Sequence, residues 1–199
     1  MCTKRVLFPK MLAILVVNIF LTNFIYAQFY SLGSNPARIK WSVIDGDNYR
    51  VIFPMGSDSL ATEYYFFLNS SRDMVFSSLR ANPSKIDVII HQNNLISNGM
   101  VGVAPKRVEL FSRVPLYNDF SHNWHRSLII HELRHVAQVS KFEKGIYNFP
   151  YVLFGEQSTA VLTGVFLSRW EMEGDAVIAE TELTYSGRRR DPHHLAYSK

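Results

Sequence analysis

The sequence predicts an α+β domain, with a small mixed sheet followed by a helical half. Three observations lead there. Short apolar runs bounded by Gly, Pro, Asn and Asp gather between Ile39 and Phe111, which is how strands read. Longer stretches with helical spacing dominate from Asn123 onward, so strands come early and helices late rather than in alternation. At 199 residues, 47% of them hydrophobic, the chain is long enough for one well-filled core and too short for two comfortable ones.

The first 27 residues stand apart. MCTKRVLFPK is a positively charged start, and the apolar run up to Ala27 is interrupted only by Asn18, Thr22 and Asn23. Charge, apolar stretch and small residue in that order describe a secretory signal peptide over residues 1–27, with Ala27 as the cleavage point. An uncleaved anchor competes, because the run is near the lower length limit for spanning a bilayer. Either way residues 28–199 are expected to be exported, to a periplasm or cell envelope, and to meet the membrane only through this segment. Without Lys4, Arg5 and Lys10 the remainder carries 18 basic against 17 acidic residues. That balance excludes the strong positive field of a nucleic-acid binder. The one cysteine, Cys2, precedes the apolar run. A mature chain would therefore hold no disulfide and no thiolate chemistry, and must rely on its core or on a metal.

After a Gly- and Pro-containing lead-in, Phe29–Pro36, the runs Ile39–Ile44 and Tyr49–Pro54 read as strands joined by the turn DGDN, a hairpin. Ser57 and Ser59 offer capping side chains before a helix over Leu60–Leu79, with Leu60, Tyr64, Phe67 and Met74 as its apolar stripe. Ile86–Gln92 is a compact, buried strand. Asn98-Gly99 marks a turn, and Val101–Phe111 resumes as one extended segment. It offers an edge along which an extended peptide can pair. Three helices are then expected, over Asn123–Lys144 (stopped by Gly145), Phe154–Phe166 and Arg169–Thr184. The final GRRRDPHHLAYSK brings no closing apolar element, which suggests that more protein follows.

The strongest chemical signal is HELRH, His131 to His135. Residues four apart on a helix share a face, so both imidazoles can point at one ion. Zinc accepts neutral imidazole nitrogen and, in catalytic sites, keeps a position for water. Glu132 is about 100° around the helix from His131, placed to act as general base without being a ligand. The bland alternative is a pair of surface histidines. It is weakened by the neighbours Leu128, Ile129, Ile130, Leu133, Val136, Ala137 and Val139, which make the helix apolar almost all round and therefore buried. Buried histidines and a buried glutamate need partners.

The segment WEMEGDAVIAET, Trp170 to Thr181, supplies carboxylates. Glu173, Val177 and Glu180 share one helical face, with Glu171 and Asp175 on the other. Glu173 would complete a His₂Glu site. Glu180 can orient one of the histidines, although a solvated or capping carboxylate is an equal reading for Glu180 and Asp175. His91, ending a buried strand, reads as a satisfied core histidine, while His122 and His125 are expected to cap a helix or face solvent. An oxyanion donor has candidates in Tyr185, Arg188, Arg190, His193 and His194, and the arginine run reads equally as a solvated turn.

HELRHVAQ followed by WEMEGDAVIAET resembles the gluzincin peptidases, in which a histidine-glutamate helix precedes a glutamate ligand, often in a Trp-x-x-Glu-Gly context. NPARIKW, YRVIFPMGSDSLA, VGVAPKRVELF and LFGE extend a narrower likeness to the N-terminal region of TolB-like (Tol biopolymer-transport) envelope proteins of Bacteroidota-type bacteria. These carry a peptidase-like domain ahead of a β-propeller. The resemblance implies a zincin-like fold, Zn²⁺ held by His131, His135 and Glu173, Glu132 as base, and a peptide or protein substrate. It equally allows a non-catalytic envelope module that serves protein–protein contacts. The chain departs from the pattern in Ser168-Arg169-Trp170, where such proteins more often carry a proline before the third-ligand helix.

Overall fold

The computed structural model describes residues 35–115, 123–185, 187 and 190. The expected signal peptide, Cys2, His122, Arg188, His193 and His194 lie outside the described residues. The rest is a mixed α and β fold with one five-stranded sheet and five helices.

The hairpin forms as β1 (Trp41–Asp45) and β2 (Tyr49–Pro54), paired antiparallel with Val43 opposite Ile52. Helix α1 (Asp58–Ser78) then crosses to β3 (Ile86–His91), which lies parallel to β2. One β-α-β crossover is therefore built into the early half, where the sequence suggested strands gathered without it. The stripe on α1 also differs from expectation. Ala61, Tyr64, Leu68, Ser71 and Val75 are buried, whereas Met74 is exposed. Leu60, Phe67 and Met74 recur every seven residues, and a straight helix drifts about 20° per seven-residue step, which carries Met74 off the buried face. Ser57 sits at the N-cap but does not cap; its hydroxyl donates to Gln92 instead.

Val101–Phe111 is not one strand. It is a hairpin of β4 (Gly99–Val103) and β5 (Lys106–Phe111) folded about Ala104-Pro105, because Pro105 has no N–H to give a ladder. The sheet order is β1-β2-β3-β5-β4. Strand β5 is thus interior, parallel to β3, and β4 is the edge.

Helix α2 (Trp124–Ser140) packs on α1, β4 and β5. Every residue from Ser127 to Ser140 is buried, as an all-round apolar helix demands. Asn123 caps it, its side-chain oxygen accepting from the Arg126 amide at 3.1 Å. His125 neither caps nor faces solvent: its ring lies 4.9 Å from that of Tyr64 and its Nε2 is 3.1 Å from the Ser112 carbonyl. The helix ends before Lys144, passing into short 3₁₀ turns at Lys141–Glu143 and Gly145–Tyr147. The expected Phe154–Phe166 helix forms as α4 (Glu156–Phe166), and a short helix that the sequence did not suggest, α3 (Asn148–Phe154), precedes it and ends at Gly155. There φ is +61°, open to glycine and costly for side chains with a Cβ. Helix α5 (Arg169–Leu183) follows and packs along α2. Among the described residues no helix is long and apolar enough to cross a membrane.

Candidate metal centre

The site is built where α5 lies along α2. Ser168 and Glu171 start α5 with a reciprocal capping box: the Ser168 amide donates to Glu171 Oε2 at 3.0 Å, and the Ser168 hydroxyl accepts from the Glu171 amide at 3.4 Å. A capped start needs no proline. The Ser168 hydrogen bonds hold the Glu171 carboxyl below its ordinary pKa, and Glu171 is thereby committed to the helix end.

One turn further on, Asp175 sets the helix against α2. Its two oxygens receive Arg134 Nε and Nη2, each at 2.7 Å, a planar two-point contact that fixes direction as well as distance. Arg134 Nη1 also donates to the Val75 carbonyl at 3.3 Å and to the Ser78 hydroxyl at 2.5 Å. A single guanidinium thus ties α1, α2 and α5 together. The Arg134 hydrogen bond is the main cause holding the Asp175 carboxyl below its ordinary pKa. Asp175, about a third exposed, is therefore an ion-pair partner of α2 rather than a helix cap.

With α5 held in this way, three sequence-predicted residues converge. His131 Nε2 is 3.2 Å from His135 Nε2 and 3.3 Å from Glu173 Oε2, and His135 Nε2 is 3.8 Å from the same oxygen. Bonds of about 2.1 Å to a tetrahedral zinc would separate ligand atoms by about 3.4 Å. The three observed edges bracket that value. The imidazoles are buried and Glu173 is about half exposed, so the group opens to solvent on the α5 side.

The proton positions agree with the spacing. Gln138 Nε2 donates to the Met172 carbonyl at 3.0 Å and to Asp175 Oδ2 at 2.7 Å. The amide is thereby oriented with Oε1 toward His135 Nδ1, 3.0 Å away. An amide oxygen only accepts, so Nδ1 of His135 carries the hydrogen and Nε2 carries the lone pair. Glu180, buried two turns along α5 from Glu173, brings Oε2 to 3.3 Å from His131 Nδ1, on the far side of that ring from the convergence. The two Nε2 atoms and Glu173 Oε2 face one point, a donor set that a divalent cation fits. Burial removes the solvated role for Glu180 and leaves it as an ion-pair neighbour of His131.

Glu132 is buried and lies against the edge strand. A Cβ placed on Gly99 would come within 2.6 Å of Glu132 Cγ and Oε1. The edge strand can pass this close to the expected base because residue 99 has no side chain. Tyr185 is fully exposed and Arg190 is exposed, and no contact ties either one to the centre among the described residues.

Sequence reasoning missed three contributors: Gln138, the Arg134–Asp175 pair and Gly99. Gln138 had a signal, as a polar side chain one turn beyond His135 on a helix otherwise expected to be buried. Gly99 read only as a turn. No family model matches this chain, and no curated protein or solved structure is significantly similar to it.

Proposed function

We propose that this chain is a zinc-dependent peptidase of zincin-like, gluzincin type, exported to the cell envelope, with His131, His135 and Glu173 as metal ligands and Glu132 as general base. The observation that carries the reading is the triangle of two imidazole nitrogens and one carboxylate oxygen with edges of 3.2, 3.3 and 3.8 Å. Bound zinc would supply Lewis acidity, polarising the scissile carbonyl and acidifying water.

The protein's own side chains supply the rest. Gln138 keeps the His135 imidazole in the tautomer that presents Nε2. Glu132 accepts a proton from the attacking water at its carboxylate and returns it to the nitrogen of the departing amine. An extended peptide pairing with the outer edge of β4 would lie beside that carboxylate, because Gly99 lets the strand pass close to it. The TolB-like resemblance offers a second role, a zinc-bearing envelope module without turnover, and one experiment separates the two.

Parent and Glu132→Gln proteins are assayed for metal by elemental analysis and for cleavage of a quenched peptide library. Both are expected to hold about one zinc per chain. The variant should lose activity by about 10²–10⁴-fold, the usual contribution of a general base. Equal cleavage by the two proteins would falsify the mechanism. Zinc without cleavage in the parent would favour the non-catalytic module, and a metal-free parent would remove both.

A further inference from the structure

Helix α4 is inside out. Its buried residues are Ser158, Thr159 and Thr163, whereas Val161 and Val165, four apart on the opposite face, point to solvent. Helix α3 buries none of its residues, and Phe149, Val152 and Phe154 are exposed. With Ile146, Leu153, Phe166 and Trp170, these apolar residues show between 57% and 84% of their surface, while Leu162 and Leu167 are partly buried. Isolated exposed apolar residues are normal in soluble domains, but a contiguous patch marks a surface that something covers.

Charge identifies the cover. From Gly145 to Leu167 the single charged residue is Glu156, and it faces inward to accept the Lys106 backbone N–H at 3.0 Å. Glu143, just before this stretch, is likewise turned inward, held by Lys106 Nζ at 2.7 and 2.9 Å. Glu171, just after it, is occupied with the α5 cap. The cations at the margin, Lys141, Lys144 and Arg169, are exposed, with Lys144 Nζ also donating to the Asn82 carbonyl at 2.8 Å, and Trp170 follows Arg169 directly. An apolar face with turned-in carboxylates, a basic rim and an interfacial tryptophan is the composition of a helix lying in the headgroup layer of an anionic bilayer. Protein interfaces, by contrast, mix polar groups into their apolar area. The two helices are about 10 and 16 Å long at 1.5 Å per residue, far short of the roughly 30 Å hydrocarbon core, so they lie in the surface rather than cross it.

We propose that the α3–α4 corner, Ile146 to Trp170, docks on an anionic lipid surface, with its aliphatic and aromatic side chains immersed and Lys141, Lys144 and Arg169 at the phosphates. The proposal does not depend on the metal centre.

The test uses the full chain with Cys2→Ser and one new cysteine bearing an environment-sensitive fluorophore, at Val152→Cys on the corner or at Val43→Cys on the exposed sheet face. Vesicles are equal parts phosphatidylglycerol and phosphatidylcholine, or phosphatidylcholine alone. The expected result is a severalfold rise and blue shift at position 152 with the anionic vesicles only, and no change at position 43. Neutralising the three rim charges (Lys141→Gln, Lys144→Gln, Arg169→Gln) should weaken the response about fivefold per charge. Three results overturn the proposal: no response at position 152, equal responses at both positions, or a label at 152 already shielded without lipid. The last would mean that a second copy or another part of the chain covers the corner.

Discussion

Among the described residues, two buried histidine–carboxylate clusters end differently. His91 receives the Asn35 amide at Nδ1, 2.9 Å away, and presents Nε2 to Glu109 Oε2 at 3.1 Å. Glu109 is completed by Arg107 Nε at 2.7 Å, and Phe111 stacks on the ring at 4.7 Å. Both ring nitrogens of His91 are thereby closed on protein groups, as a satisfied core histidine should be. In the second cluster, Gln138 and Glu180 lie at the Nδ1 atoms and the two Nε2 atoms are brought face to face with Glu173. Histidine and carboxylate alone therefore say little. The informative feature is whether the nitrogens close on protein or converge on one point.

The largest effect should come from zinc. At a free concentration about a thousandfold above Kd, a ligand bound only by the folded state adds about 4 kcal/mol. Thermal unfolding with and without zinc should show that gain in the parent and in His91→Ala, and none in His131→Ala or His135→Ala. A zinc response lost in His91→Ala would break the distinction between the clusters.

A smaller effect is expected from Gln138→Leu, which keeps the ligands but frees the His135 ring. Loss of an orienting partner behind a ligand typically weakens metal affinity about 10- to 100-fold, measurable by competition with a chromophoric chelator. Unchanged affinity would mean that packing alone orients that ring.

The smallest concerns the closed cluster. The His91 hydrogen bond, aided by Arg107, holds the Glu109 carboxyl below its ordinary value of 4.5, against the opposing effect of burial. A depressed carboxylate contributes stability that is present above its unfolded pKa and lost as pH falls through the folded one. Denaturant midpoints should therefore drop below about pH 4.5 through this group, and Glu109→Gln should flatten that part of the profile. An unchanged acid limb in the variant would show that other carboxylates set it.

Much of this was legible because periodicity carries it. The hairpin, the buried α2 and the one-turn spacing of His131 and His135 follow from repeats of two and 3.6 residues, and the shared face of Glu173 and Glu180 from 100° steps. What stayed hidden depends on single residues acting at a distance. Pro105 split one strand into two, Gly155 separated α4 from a short helix that had not been expected, and the hydroxyl of Ser57 went to Gln92 rather than to the end of α1. Arg134 looked like one charge inside an apolar helix, and nothing in its spacing named Asp175, which lies 41 positions later, as its partner. Long-range pairs of this kind are chosen by tertiary packing, which local patterning does not encode.

Gly99 leaves no slack between the sheet's last strand and Glu132. A Cβ at residue 99 would overlap the Glu132 side chain, so even an alanine there must push either the strand or the carboxylate aside. The course of that strand and the setting of Glu132 therefore constrain one another.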